Sequence, residues 1–128
     1  MDIHTHQQID QTLCGSPEEL QPGYCRVAFT ASACMAADGK GLVHGGFIFG
    51  LADYAAMLAV NDPTVVLGAA EVKFLKPASV GEPIVAEARV KEVSGRKHIV
   101  EVVVTRDAET LLEGRLTCFV LDRHVLDK

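Results

Sequence analysis

The chain is 128 residues long, with 48% apolar and 23% charged residues and a formal net charge of −5. This length predicts one domain, residues 1–128, with a hydrophobic core of its own. The acidic balance, without any basic tract, argues against nucleic acid as a partner, and no apolar run reaches the roughly 20 residues of a membrane span.

The amino terminus and the cysteines indicate a cytoplasmic protein. Residues 1–4 lack the basic and apolar regions of a secretory signal. The four cysteines have neither C-x-x-C spacing nor the density of a disulfide scaffold, which favours free thiols. Cys34 and Cys118 are predicted to be small core residues rather than reactive thiols.

Residues 1–23 are predicted to form a helical or irregular lead-in. His4 and His6 are interpreted as part of a frayed, solvated end rather than as metal ligands, and no metal site is predicted elsewhere. Residues 9–15 predict a short helix with a glycine stop. Residues 16–20 predict a second short helix, because a serine N-cap precedes a proline.

Five segments alternate between apolar and polar residues, or are rich in valine, and predict strands. The connections between the last three are short turns, which favours antiparallel pairing. The predicted strands are residues 24–34, 64–75, 83–93, 98–106 and 111–121.

The segment 43–60 is apolar on almost every side and predicts a helix over about residues 45–60 that is buried all round. A proline at position 63 ends it. Such a helix needs cover, so we expect an α+β fold in which a sheet of about five antiparallel strands wraps around it. A single sheet leaves an edge exposed, which favours a dimer.

One carboxylate, Asp53, lies in the middle of this apolar helix. An ionised carboxylate in such surroundings is costly unless it has a partner or a task. Asp53 is therefore either catalytic or a structural residue satisfied by a neighbouring backbone group, by Tyr24 or by Tyr54. On one helical face it has small and apolar neighbours: Gly46, Phe49, Gly50, Ala56 and Met57.

The segment His44-Gly45-Gly46, followed by Asp53 nine residues after the histidine, and the later segment 74–81 (Phe-Leu-Lys-Pro-Ala-x-x-Gly) together resemble the hotdog-fold acyl-CoA thioesterase superfamily. The closest subgroup is that of the phenylacetyl-CoA thioesterases. The resemblance extends over residues 9–121 and implies a hotdog fold, with one sheet wrapped around the central helix.

The resemblance also implies an activity. Such proteins hydrolyse acyl-CoA thioesters as dimers or as dimers of dimers, with no cofactor other than the coenzyme A of the substrate. Asp53 would be the nucleophile or the base for water, and a backbone amide near Gly45 or Gly46 would polarise the thioester carbonyl. His44 would have a positioning role, or would be a capping or core histidine.

The spacing of these groups predicts a site shared between two chains. Gly45 and Asp53 are eight residues apart, which is roughly 12 Å along one helix at ~1.5 Å per residue. Both groups must come within ~3 Å or so of one carbonyl. They can converge only if the helices of two subunits lie antiparallel, so that one chain supplies Gly45 or Gly46 and the other supplies Asp53.

Further residues are candidates for substrate binding. Phe49 lies on the helix that would line an acyl pocket. Lys76, Arg96 and Lys97 are candidates for the phosphates of coenzyme A, although each is also an ordinary surface charge.

Two positions depart from the family pattern. Asp38 stands where many relatives have an asparagine that holds the carbonyl. It is interpreted either as a substrate-binding residue in that place or as a simple turn residue. Gly68 lies in the stretch 66–69, where relatives often carry a hydroxyl and this chain has none. These departures leave open a non-catalytic acyl-CoA-binding module and, more weakly, an acyl-CoA hydratase or dehydratase.

Overall fold

The computed structural model describes residues 1–127. It contains two α-helices, six strands and a short 3₁₀ helix at Ala33–Met35. In chain order these are α1 (Gln11–Cys14), β1 (Ser16–Gln21), β2 (Tyr24–Thr30), α2 (Gly45–Val60), β3 (Val65–Phe74), β4 (Pro83–Ser94), β5 (Lys97–Arg106) and β6 (Glu109–Val120).

The strands form one sheet in the order β1-β2-β4-β5-β6-β3, and every neighbouring pair is antiparallel. The α2 helix lies across the concave face of this sheet, mainly over β4, β2 and β5. The predicted α+β architecture is thus confirmed, with six strands instead of about five.

The additional strand is β1, which the sequence predicted as a helix. Ser16 pairs with Ala28 and Gln21 with Tyr24, across a turn in which Gly23 has a φ of 77°. The N-cap and proline signals are local preferences, and pairing with an already buried strand outweighs them.

The predicted strand 24–34 ends early, and this changes the place of Cys34. After Thr30 the chain turns into the 3₁₀ helix, which leaves Cys34 exposed with its Sγ 3.1 Å from Ser32 Oγ. The prediction that Cys34 is a core residue is therefore wrong. Cys118 is fully buried on β6, as predicted.

The α2 helix has the predicted bounds. Its C-cap residue is Asn61, which adopts a left-handed conformation (φ 54°) and donates its backbone N–H to Met57 O at 2.8 Å. Ala52 and Ala55 have no exposed surface. Residues this small on the buried side of the helix allow it to lie close to the sheet. No helix among residues 1–127 is both long enough and apolar enough to cross a membrane.

Asp2 and His4 are hydrogen-bonded to the end of α2, so the expectation of a frayed terminus is wrong for these residues. The His4 N–H donates to Asn61 Oδ1 at 2.7 Å, and Asn61 Nδ2 donates to Asp2 O at 2.8 Å. Thr5, the next residue, is buried. Across the described residues, no group of histidine, cysteine and acidic side chains is arranged to hold a metal ion.

Candidate active site

The first turn of α2 presents free backbone donors. His44 is the N-cap residue and makes no side-chain capping bond, while its carbonyl accepts the Phe47 N–H at 3.0 Å. Gly45 and Gly46 precede any possible intrahelical acceptor, so their N–H groups are available to a ligand. The helix dipole adds positive potential at this point, which suits an oxygen that becomes negative during a reaction.

The His44 ring explains why position 46 is a glycine. A Cβ on Gly46 would lie 3.1 Å from two atoms of that ring, and the ring also meets Phe47 edge-on at 6.1 Å. The imidazole therefore lies along the first turn of the helix. This placement agrees with a positioning role for His44 beside the free N–H groups.

Asp38 is used by the loop that leads into the helix. Its Oδ1 accepts the Lys40 N–H at 2.9 Å and the Leu42 N–H at 3.2 Å. The side chain is exposed and acts as a turn residue, which is one of the two interpretations of this position. A carboxylate with this role donates nothing to a carbonyl oxygen.

A groove of about 320 Å³ lies beside Gly45. The Phe74 ring forms one side and would be 3.4 Å from a Cβ at Gly45. Apolar side chains dominate the groove, whose one charged residue, Lys76, is held by Glu109 at 2.6 Å. The lining residues are Val43, Gly45, Ile48, Phe74, Leu75, Lys76, Pro77 and Ala78. A groove of this size and character suits an acyl group next to the free N–H groups.

Asp53 lies on the one side of α2 that the chain leaves incompletely covered. Gly46, Phe49 and Gly50 share this open stripe, so the helix is not buried all round as predicted. A Cβ on Gly50 would meet nothing within 4 Å. The stripe therefore has room for atoms that a single chain does not supply.

The Asp53 carboxyl has a buried oxygen with no partner. Oδ1 makes no hydrogen bond within residues 1–127. Tyr24, one of its predicted partners, donates instead to Glu87 at 2.6 Å. Burial raises the pKa of Asp53 above its ordinary value. A carboxylate in this state is a better base than a solvated one.

Within one chain, these groups are not all brought together. The groove beside Gly45 is lined without Asp53, which is two helical turns further on. Arg96 and Lys97 are at the opposite end of the sheet from Phe74, since Lys97 pairs with Phe119 near the start of β3. Arg96 forms an exposed ion pair with Asp122.

Gly68 has a structural role in β3. It is the extra residue of a bulge between Leu67 and Ala69, and a Cβ there would collide with the Phe119 ring. Phe119 follows the inward-facing Cys118 on β6, so it lies on the convex face of the sheet, away from α2. A side chain at position 68 would therefore point away from α2 and from Asp53.

Arg106, at the end of β5, was not among the site residues predicted from the sequence. Its guanidinium joins Glu82, Glu109 and the Pro77 carbonyl beside the groove. Pro77 and Glu82 are 29 and 24 residues away along the chain, so no local pattern could have identified this network. The one local signal is Glu109, three residues after Arg106.

Comparison with known proteins identifies the family of the chain. The model of the thioesterase superfamily matches residues 40–113. A solved structure of an uncharacterized protein from Pyrococcus horikoshii is 54% identical and superposes with a TM-score of 0.98, covering 99% of this chain and 98% of that one. The PaaI protein from the E. coli phenylacetic acid degradation operon is 25% identical, with a TM-score of 0.78 and 85% of each chain covered.

A longer protein also contains a similar segment. The methylthioribose-1-phosphate isomerase of Aquifex aeolicus is 50% identical over 123 residues, which are 95% of this chain but 27% of that protein. This chain therefore spans about a quarter of that relative, and the isomerase name describes a much longer polypeptide. The family model and the two structures confirm the resemblance to hotdog-fold thioesterases that the sequence predicted. The chain belongs to the thioesterase superfamily and has the hotdog fold of PaaI-like proteins.

Proposed function

We propose that the protein is an acyl-CoA thioesterase whose active site is shared between two subunits. The observation that carries this proposal is the buried, unpartnered Oδ1 of Asp53 on the open stripe of α2. A buried carboxylate without a partner costs free energy, and a catalytic task accounts for its presence. The thioesterase superfamily supplies the reaction class.

The proposed reaction uses one water molecule. Asp53 takes a proton from water, and the resulting hydroxide attacks the thioester carbonyl carbon. The carbonyl oxygen becomes negative and accepts hydrogen bonds from the N–H groups of Gly45 and Gly46. The carbon–sulfur bond then breaks, the thiolate takes the proton back from Asp53, and the products are a carboxylic acid and free coenzyme A.

The proposal that two subunits share the site rests on a distance along α2 and on the uncovered stripe of that helix. Gly45 and Asp53 are about 12 Å apart along α2, too far to act on one carbonyl. The open stripe of α2 has space at Gly50 for a second helix. A partner helix lying antiparallel on this stripe would bring its own Gly45 towards Asp53, and the two-fold axis would create a second identical site.

The decisive experiment measures thiol release from short, medium, long and aromatic acyl-CoAs with the wild type and with Asp53→Asn. We expect turnover by the wild type and a loss of at least about a hundredfold in the variant, as is usual for removal of a general base. Asp127→Asn is the matched control, since Asp127 is exposed and far along the chain from α2.

The outcomes separate this proposal from its alternatives. Turnover that survives in Asp53→Asn would keep the activity and remove Asp53 from the mechanism. Tight acyl-CoA binding without turnover would favour a non-catalytic binding module, a role that the commitment of the Asp38 carboxylate to a turn also fits. A hydratase would need Asp38 and His44 to act together, and the two make no hydrogen bond with each other in residues 1–127.

A further inference from the structure

The loop of residues 75–82, between β3 and β4, forms one wall of the groove beside Gly45. Backbone hydrogen bonds attach it at its start and in its middle. The Leu75 N–H donates to Leu111 O at 2.8 Å, and Ala78 O accepts the Val43 N–H at 2.9 Å. Since Val43 leads directly into the first turn of α2, the loop and the helix start are mechanically connected.

A network of charged side chains fixes the middle of this loop. Arg106 Nη1 donates to Pro77 O at 2.8 Å and to Glu82 Oε1 at 3.0 Å. Arg106 Nη2 contacts Glu109 Oε1 at 3.3 Å, and the other oxygen of Glu109 accepts from Lys76 Nζ at 2.6 Å. One guanidinium therefore ties both halves of the loop to the turn between β5 and β6.

Arg106 differs from an ordinary surface arginine in its burial. Its side chain is 17% exposed, whereas that of Arg26, which also pairs with two glutamates, is 38% exposed. Ion pairs are less screened where the side chains are partly buried. A planar guanidinium also reaches three acceptors at fixed angles, which an ammonium group does not.

We propose that Arg106 is a positioning residue that determines which acyl groups the groove accepts, by holding the 75–82 wall against the start of α2. This inference rests on the proposed thioesterase function. Removing the guanidinium would leave the carboxylates of Glu82 and Glu109 facing each other and the Pro77 carbonyl without its donor. The wall would then move away from Gly45, and the groove would fit its preferred acyl group less closely.

The first test is steady-state kinetics of Arg106→Gln over a panel of acyl-CoAs. For the acyl group that the wild type prefers, we expect KM to rise about tenfold with little change in kcat, because binding is lost equally in the ground and transition states. The preference for that group over acetyl-CoA should shrink by a similar factor. Arg106→Lys, which keeps the charge, should fall between the wild type and Arg106→Gln.

Arg26→Gln is the matched control, because it removes an arginine that pairs with two glutamates on β1 and has no contact with the loop. We expect it to keep the wild-type acyl preference. An Arg106→Gln variant with unchanged acyl preference would overturn the proposal. An equal loss of kcat/KM on every acyl-CoA, with the same loss in Arg26→Gln, would also overturn the proposal.

Hydrogen exchange separates this inference from the proposed function. If the wild type hydrolyses no acyl-CoA, the thioesterase proposal fails, and exchange still measures whether Arg106 holds the loop. We expect Arg106→Gln to accelerate exchange of the hydrogen-bonded amides of this loop and of Val43, while the central strands stay protected. The loop amides are those of Leu75, Lys76, Val80 and Gly81. Unchanged protection of these amides would refute the positioning role directly.

Discussion

The ionisation of Asp53 connects the candidate chemistry to the stability of the fold. Burial raises the pKa of this carboxyl in the folded state, so the native protein binds its proton more tightly than the unfolded chain does. Protonation of Asp53 therefore stabilises the native state. This stabilisation is fully present below the pKa of the carboxyl in the unfolded chain, and it is lost as the pH rises through its pKa in the folded protein. At neutral pH the ionised carboxylate therefore weakens the native state.

Asp53→Asn removes this cost, and we expect the variant to unfold at higher urea than the wild type at pH 7. The gain should be about 1 kcal/mol, the usual size of a single-substitution effect, because the amide keeps the shape of the carboxyl but has no charge to desolvate. The difference should disappear as the pH falls below the ordinary aspartate pKa of about 3.9, where the carboxyl is neutral in both the folded and the unfolded chain. Both proteins are compared at one concentration, because assembly contributes to apparent stability.

Asp127→Asn again serves as the control, and its stability should follow that of the wild type at both pH values. A lower stability of Asp53→Asn at pH 7 would mean that the carboxylate has a favourable partner in the folded assembly. Together with lost turnover, a higher stability would identify Asp53 as a residue kept for function at the expense of the fold.

Single residues differ in how much of their role their sequence neighbours reveal. Asp53 could be singled out because a lone carboxylate conflicts with an apolar helix, and the conflict is visible within one segment. Asp38 could be assigned to a turn because its carboxylate accepts from backbone N–H groups only two and four residues further along the chain. Arg106 could not be identified, since two of its three partners, Pro77 and Glu82, come from the loop between β3 and β4 and become its neighbours only when the sheet is assembled.

At the scale of elements, Gly114 allows β3 and β6 to approach each other. A Cβ at this position would collide with the backbone oxygen of Glu71 and lie 2.7 Å from Val72 Cα. These are main-chain atoms of the neighbouring strand, so no side-chain rotation relieves the clash. The edge strand β3 would have to move away from β6 to accept any larger residue.

We therefore expect Gly114→Ala to lower the free energy of unfolding by about 2–3 kcal/mol, in the range of overpacked cores. Gly39→Ala is the control, because a Cβ at Gly39 would meet nothing within 4 Å and the residue has no left-handed conformation. Urea unfolding of the two variants beside the wild type provides the measurement. Equal midpoints for Gly114→Ala and Gly39→Ala would contradict this explanation of the strand contact.

The elements also differ in how far the sequence predicts them. The bounds of α2 follow from apolar residues on every side, a glycine pair at its start and a proline at position 63, shortly after its end. The strands β3 to β6 follow from alternation and from short turns. β1 could not be predicted, because Ser16-Pro17 resembles a helix start and only pairing with β2 makes this segment a strand.

At the scale of the whole molecule, the sheet is wider than the helix that covers it. Ala70, Val72 and Phe74 on β3 pair with residues of β6 on the concave face of the sheet, yet Ala70 is exposed and the Phe74 side chain is 56% exposed. The outer edge of β3 is also unpaired in one chain. The apolar concave margin, the free edge and the open stripe of α2 are surfaces of the kind that a second copy of the chain would cover.

A mixing experiment tests whether two such copies share their active sites. Asp53→Ala removes the carboxylate, and Gly45→Pro removes one N–H donor. Proline suits the first helical position, and His44 before it already has an extended conformation (φ −62°, ψ 131°). Each variant alone should lose most of its turnover, since every site in its homodimer lacks one group.

The mixed dimer should have about half of the wild-type rate per dimer, because one of its two sites is intact. The chains are co-expressed with different tags, and the doubly tagged species is purified and assayed. Asp53→Ala mixed with Asp53→Asn is the control and should restore nothing. A mixed Asp53→Ala and Gly45→Pro dimer that is no more active than its parents would mean that both groups act from the same chain. In that case α2 would have to bend, or the substrate would have to span the roughly 12 Å that separates the two residues along the helix.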